Sequence, residues 1–565
     1  MTIVSPQALA SGLASGPALV LPRGNVLQQL RAPRVWDIVV VGGGATGLGI
    51  ALDASLRGFK VALIEADDFA KGTSSRATKL AHGGVRYLAQ GNVALVREAL
   101  QERGAMLANA PHLAQPLPFV MPSHRWWQSA FYGAGLKAYD LLAGWRGLGR
   151  TEFLSRAQAL QVAPGLSAKG LVGGVKYWDG QFDDARLAIA LMRSAATGGA
   201  VLVNRVVATG LLRDQGKVHG VQARCAETGE AFALQARCVI NATGVWVDAV
   251  RDMDREPDTP ARAPMVAPSQ GVHLVVDRSF LPGTHAVLVP RTADGRVLFA
   301  VPWLGKIILG TTDTPRHDLA LEPTPFHDEV EFILREAGKY LAKAPQRSDV
   351  LSVWVGLRPL VKPPSDENDK SGGSGESGEK TQALSREHTV IVGRSGLVTV
   401  TGGKWTTYRA MAEDALDRAM SRGVLERRAS GATEQHRLVG AAPGRPLGEA
   451  PGEHLYGSDA ELLRSLPGAT HWLWRDDAGD DAGDAAAPRG LSEAMVRFAA
   501  RFEMARSVED VLARRCRLLF LDAREAARQA DAVAAVLADE LGEGFDAAAS
   551  VAQFKKLAQQ YSTLP

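Results

Sequence analysis

Gly42, Gly44 and Gly47 lie in the run Gly42-Gly43-Gly44-Ala45-Thr46-Gly47, the G-x-G-x-x-G spacing of a turn that holds a phosphate. In such a turn Gly42 lets the chain reverse, Gly44 lets the backbone approach a pyrophosphate, and Gly47 lets the following helix lie close to the preceding strand. The helix N-terminus then offers backbone N–H groups and positive dipole to the anion. Glu65 ends a second apolar run about twenty residues on, where its carboxylate can take a ribose hydroxyl. Glycine turns are common, so the spacing alone is weak; strand before, helix after and acid beyond make it specific.

These elements are legible around the turn. Val35 to Val41 is an apolar run that opens onto Gly42, Leu48, Ile50, Ala51 and Ala54 mark one face of a helix, and Val61 to Ile64 is a second strand. Ala200 to Ala208, Val218 to Ala223 and Cys238 to Asn241 read as later strands, the last running into Ala242-Thr243-Gly244, a tight turn able to return to the same pyrophosphate. Thr73, Ser74 and Ser75 offer hydroxyls and amides beyond the second strand. The glycine turn does not choose between NAD and FAD; together with these later segments it favours the longer dinucleotide, FAD.

The chain has 565 residues, too many for one core, and predicts two or three packed domains. Its 46% hydrophobic and 22% charged residues are ordinary for a folded protein. No apolar run reaches the roughly 18 to 20 residues that span a bilayer. A net charge of +3 argues against a nucleic-acid binder. Cys225, Cys238 and Cys516 show neither a CxxC pair nor metal-ligand spacing, so no metal is expected and a reducing compartment is. Residues 1–34 carry Arg23, Arg31 and Arg34 but no acid, and read as a disordered tail in preference to a targeting segment. Residues 363–382, acidic and then Ser/Gly-rich, read as a mobile loop. Helical periodicity over Leu491 to Phe502, Val508 to Leu521 and Ala532 to Leu541 predicts a separate C-terminal helical domain, with the basic run Arg514 to Arg517 on a solvated face.

Thr73-Ser74-Ser75-Arg76-Ala77-Thr78-Lys79-Leu80-Ala81-His82-Gly83-Gly84-Val85-Arg86-Tyr87-Leu88 resembles a motif of the FAD-dependent, respiratory glycerol-3-phosphate dehydrogenases. Asp183-Asp184-Ala185-Arg186-Leu187, Asn241 to Gly244, Gly310-Thr311-Thr312-Asp313, Val355 to Leu360 and Gly402-Gly403-Lys404-Trp405-Thr406-Thr407-Tyr408-Arg409 resemble further motifs of that family, in its order. The resemblance implies an α/β fold: a Rossmann-like FAD-binding domain of the glutathione-reductase/D-amino-acid-oxidase type, an α+β substrate domain and a C-terminal helical domain. The expected boundaries are 35–115 with 170–260 and 385–425 for the first, 116–169 with 261–384 for the second, and 430–565 for the third. It also implies oxidation of sn-glycerol 3-phosphate to dihydroxyacetone phosphate, with electrons passed from FAD to membrane quinone.

Site expectations follow from the motifs and the chemistry. A phosphorylated substrate needs fixed cations, and Arg86, Tyr87, Arg358, Arg386 and Lys404 are the candidate substrate ligands. His273, in Ser269 to Val276, is the candidate base for the hydroxyl proton, with Arg358 and Lys404 as its catalytic partners. Lys404 places positive charge near the flavin's pyrimidine end. The cofactor set is Gly42, Gly44, Gly47, Glu65, Thr73, Ser74, Ser75, His82, Gly244, Asp313, Gly403, Lys404 and Thr406. His124 to Leu142 interleaves aromatic, aliphatic and basic residues, as an interfacial helix on an anionic lipid surface would. The expectation is a bacterial-type enzyme, cytoplasmic and peripheral on the inner face of the cell membrane, in preference to the mitochondrial inner membrane; a homodimer is allowed for. Two other readings stay open: an oxygen-reducing glycerol-3-phosphate oxidase or other amine or hydroxy-acid oxidase, and a flavin-dependent membrane-binding protein without turnover.

Overall fold

The computed structural model describes residues 22–84, 92–256, 262–362, 388–476 and 489–565. Strands Val35–Val41, Val61–Ile64, Val201–Val203, Ala231–Asn241 and Val398–Gly402 form the parallel part of a first sheet. Ile38 to Val40 and Val61 to Leu63 are fully buried, which is why they read as unbroken apolar runs: helices cover both faces of a parallel sheet. An antiparallel flap of Val206–Asp214 and Lys217–Cys225 extends from Ala231–Asn241.

Register brings the strand ends to one level. Val41 pairs with both Ile64 and Asn241, and Asn241 pairs with Thr399. Strand order runs to opposite sides of Val35–Val41, which makes the carboxyl edge of that strand the switch point where such sheets bind ligands. The helix Ala45–Leu56 leaves that edge and packs on helices Asp184–Thr197 and Tyr408–Ser421.

The second sheet has ten strands, among them Ala114–Ser123, Gly173–Phe182, Val266–Asp277, Leu298–Trp303, Lys306–Gly310 and Ser352–Val361. Gly173–Phe182 pairs along its whole length with Ala114–Ser123, so it belongs here and not with the first sheet; the chain crosses back at Asp183. The C-terminal part is helical, with Glu493–Phe502, Ala523–Leu541 and Ala547–Ser562. Val508 to Leu521 is not one helix, because Arg517 turns left-handed at φ +70° and splits it.

The expected tail 1–34 is corrected for its last part. Arg23–Arg31 is a helix whose Val26, Leu27 and Leu30 are buried, and Arg23 donates to the Asn204 side chain and to Glu227, each at 2.9 Å. Three apolar residues at helical spacing suffice to dock this helix. Residues 1–21 and the expected loop 363–382 lie outside the described residues.

Candidate active site

Glycine is required at the turn by what surrounds it. Gly42 has φ +110°, and a Cβ there would stand 2.7 Å from the Ala242 carbonyl oxygen. A Cβ on Gly47 would overlap the Gly42 carbonyl oxygen, so the first turn of Ala45–Leu56 closes on the strand end only with glycine there. Gly44 faces Ser74, whose Oγ accepts from Ala45 N at 2.9 Å. Glu65 closes the turn from the next strand: Oε2 accepts from Gly43 N at 2.6 Å and Oε1 from Asp67 N at 2.9 Å. Burial raises the Glu65 pKa while these two donors oppose the shift. Each carboxylate oxygen keeps a second lone pair for a ribose hydroxyl.

Gly42, Gly44, Glu65, Thr73, Ser74, Gly244, Gly403 and Lys404 line one cleft of about 480 Å³. The arrangement fits an extended dinucleotide: Gly42, Gly44, Gly244 and Gly403 leave backbone bare along the cleft wall, and a helix N-terminus opens onto it. Gly47, Ser75 and Thr406 are buried residues of the same turns. The Thr73–Ser75 turn is tied to both sheets. Thr73 Oγ1 donates to Leu357 O at 2.6 Å, and Trp405 Nε1 donates to Ser74 O at 2.9 Å.

Leu357 is followed by Arg358, so the bond from Thr73 sets the distance between cofactor turn and candidate substrate cation. Arg358 stands opposite Ser269 across two antiparallel strands. Its Nη2 donates to Thr312 O at 3.0 Å and Thr311 Oγ1 at 3.2 Å, and its Nη1 donates to Gln270 O at 3.3 Å and lies 3.4 Å from Asp313 Oδ1. Gly271 makes the room, since a Cβ there would overlap the guanidinium. Asp313, expected at the cofactor, thus sits with Arg358 and also accepts from Ser269 Oγ. His82, likewise expected at the cofactor, lies 3.5 Å from Asp179 and against the Phe299 ring. Arg86, Tyr87 and Arg386 lie outside the described residues.

His273 is buried on the neighbouring strand. Its Nε2 is 2.9 Å from Thr78 Oγ1, and its ring stacks on Trp354 at 4.0 Å. Burial first, then Arg358 and Lys79, hold its pKa well below the usual histidine value, so the ring is neutral at pH 7.

Lys79 was passed over, although it sits inside the longest motif and the paired acids Asp183-Asp184 signalled a buried counter-charge. Its Nζ donates to Ser75 O at 2.7 Å and to both Asp184 oxygens at 2.9 and 2.7 Å. Burial and Arg517 bring its pKa down to about 7 while Asp184 opposes them. Three accepting oxygens need all three N–H donors, so the ammonium form is the one this geometry holds. Arg517 Nη2 joins the cluster, donating to Ser75 O at 2.9 Å and Asp184 Oδ1 at 3.0 Å.

The basic run is therefore not a solvated face. Arg514, Arg515 and Arg517 are at most 2% exposed. Asp68 takes Arg514 and Arg515, Asp510 takes Arg514 at 2.7 Å, and the Asp183-Asp184 pair takes Arg517. Buried charges demand such partners. The helix Trp126–Ala143 shows the opposite anomaly. Gly133, Leu136, Tyr139 and Ala143 face inward, while Trp126, Phe131 and Leu141 are 81%, 69% and 82% exposed. Among the described residues no helix is long and apolar enough to cross a membrane.

Residues 37–409 match the family of FAD dependent oxidoreductases, and residues 432–548 match the C-terminal domain of alpha-glycerophosphate oxidase. The chain is 40% identical over 551 residues to a probable mitochondrial glycerol-3-phosphate dehydrogenase of Caenorhabditis elegans, covering 93% of this chain and 73% of that one. It is 39% identical over 536 residues to a mitochondrial glycerol-3-phosphate dehydrogenase of Arabidopsis thaliana, covering 89% and 82%. The crystal structure of the Bacillus halodurans glycerol-3-phosphate dehydrogenase complexed with FAD aligns with a TM-score of 0.70 at 28% identity, over 96% of this chain and 98% of that chain.

Proposed function

The chain belongs to the FAD-dependent glycerol-3-phosphate dehydrogenases, and from that premise we propose that it oxidises sn-glycerol 3-phosphate to dihydroxyacetone phosphate and passes the electrons to a membrane quinone. The observation that carries the chemistry is the bond from Thr73 to Leu357 O, which ties the wall of the dinucleotide cleft to the strand bearing Arg358. Gly42, Gly44, Gly47, Glu65, Thr73, Ser74, Gly244 and Gly403 would hold FAD, which when bound would supply the hydride acceptor. Arg358 grips the substrate phosphate through a guanidinium already oriented by Thr311, Thr312 and Gln270. Lys404, on the cleft wall, offers positive charge where reduction accumulates negative charge.

His273 takes the proton of the substrate hydroxyl, and it is neutral beforehand because burial first, and then Arg358 and Lys79, hold it so. A phosphate dianion seated on Arg358 offsets that cation, so substrate binding itself raises the basicity of His273. The exposed face of Trp126–Ala143 supports docking on an anionic lipid surface: its aromatic residues suit the headgroup level, and a soluble monomer rarely leaves such a stripe uncovered. Peripheral attachment would bring the cleft to quinone without a spanning helix.

The test is anaerobic mixing of the purified protein with sn-glycerol 3-phosphate while the flavin absorbance is followed. Prompt bleaching, reversed quickly by a quinone analogue and slowly by oxygen, is expected. No bleaching with FAD bound overturns the substrate; fast reoxidation by oxygen with peroxide release overturns the acceptor.

A further inference from the structure

A second cavity lies apart from the cofactor cleft and shares no lining residue with it. It has a volume of about 230 Å³ and is walled by Arg445, Arg464, Arg489, His454 and Glu453, with backbone at Gly444 and Gly457. Three arginines and one glutamate therefore line one small space. Glu453 takes Arg464, with Nε at 2.9 Å, and Glu449, behind the wall, lies 3.8 Å from Arg445 and 3.4 Å from Arg489. His454 Nε2 is buried with no hydrogen-bond partner among the described residues, a cost that an incoming polar group would remove.

We propose that this cavity is a binding site for a small phosphate-class anion, inorganic phosphate or a compact phosphomonoester, separate from the substrate phosphate. Guanidinium forks match phosphate oxygens bidentately, and with Glu449 and Glu453 both counted against the three arginines one positive charge remains, which favours an anion over a neutral solute. The volume is about half that of the dinucleotide cleft and below the range of about 300–1,000 Å³ usual for drug-sized ligands, which excludes a nucleotide. The wall is also pre-set: Gln115 of the second sheet donates to Arg445 O at 2.7 Å and accepts from Leu447 N at 3.1 Å.

His454 gives the site a proton signature. Burial, Arg445 and Arg489 lower its pKa to about 4 against a smaller opposing effect of Glu453, so it is neutral when the cavity holds no anion. A dianion beside it raises that pKa. Binding of the dianion then takes up a proton at His454, an effect read at a pH where the phosphate is already fully ionised.

The experiment titrates the holoenzyme with inorganic phosphate and, separately, with glycerol 2-phosphate, by calorimetry and thermal melting. The variants are Arg445→Gln/Arg489→Gln, Arg464→Gln, His454→Gln and, as active-site control, Arg358→Lys. Binding at this cavity is expected to raise the melting temperature of wild type and Arg358→Lys alike. Affinity should fall at least tenfold in the double variant and severalfold in Arg464→Gln, whose side chain is 62% exposed. Proton uptake, read from calorimetry in two buffers, should disappear in His454→Gln. A tighter titration with the ester assigns the site to phosphomonoesters, and a tighter one with phosphate to the free ion; either upholds it. Binding of neither probe, or binding abolished by Arg358→Lys and untouched by Arg464→Gln, overturns it.

Discussion

Replacing Gly47 by alanine adds one methyl group where the Gly42 carbonyl oxygen already stands. Real Cβ atoms keep at least 3.0 Å from a neighbouring heavy atom, and this one would start well inside that limit, so helix and strand end must part by about 1 Å. Overpacking of that kind costs about 1–3 kcal/mol of stability. The cofactor loses more. N–H groups displaced by such a distance forfeit one or two charge-assisted hydrogen bonds to the pyrophosphate, at about 1.5–3 kcal/mol each. Affinity for FAD should therefore fall roughly 10-fold to 10⁴-fold, at about 1.4 kcal/mol per decade. The assay is fluorescence titration of the deflavinated protein with FAD, alongside two controls. Gly44→Ala meets only the Ser74 hydroxyl among protein atoms, at 3.0 Å, and should keep its stability while losing FAD affinity, since its methyl stands where the backbone meets the pyrophosphate; Gly135→Ala, on the exposed helix with nothing within 4 Å, should lose nothing. Undiminished FAD affinity in Gly47→Ala would refute the assignment of this turn as the pyrophosphate site.

Arg358→Lys replaces a fork by a point charge and should raise KM by about 10–100-fold, the loss of one charge-assisted bond, with stability nearly unchanged; a KM within twofold of wild type would remove Arg358 from phosphate binding. Because His273 is neutral well below the usual histidine range, kcat/KM should hold steady as pH falls through about 6.5. An acid limb at that pH which vanishes in His273→Gln would contradict this. His112 is buried and its pKa is lowered to about 3, whereas the unfolded chain takes up a proton near pH 6.5. Stability from this group is thus present above about pH 6.5 and lost as pH falls, at about 1.4 kcal/mol per pH unit, and His112→Gln should flatten that slope in thermal melts from pH 6.5 to 5.5. Trp126→Ser/Trp127→Ser/Phe131→Ser should abolish flotation with anionic liposomes while leaving turnover with a soluble acceptor intact.

Legibility followed sequence distance. The turn at Gly42 and the strands around it could be read because each signal lies within a few residues of the next, and because burial on both faces leaves Ile38 to Val41 uniformly apolar. Gly173–Phe182 was harder: its Lys176, Asp179 and Gln181 give no clean alternation, and only pairing with Ala114–Ser123 decides its sheet. The helix Arg23–Arg31 hid in a leader poor in acids, since what holds it is a distant surface and not its own composition. Arg515 and Arg517 read as solvated because their carboxylate partners, Asp68, Asp183 and Asp184, stand more than 300 positions earlier. Lys79 needed the same long-range knowledge. At the substrate side Arg358 was found from its motif, whereas the low basicity of His273 follows from neighbours that no local pattern reveals.

The pairing of Asn241 with Thr399, and the reach of Arg517 to Ser75 across 442 residues, have a temporal meaning. Protein synthesis runs from one end, so Val35–Val41 emerges early and waits for Ala231–Asn241, which in turn waits for Val398–Gly402, and the turn at Ser75 waits longer still for Arg517. Closing such long loops is slow, and the free edge of Ala231–Asn241 remains unpaired meanwhile. FAD, which binds only the completed arrangement, then acts as a late clamp on the newborn chain: scarcity of the vitamin-derived cofactor would show first as a shortage of mature protein, ahead of any shortage of active sites.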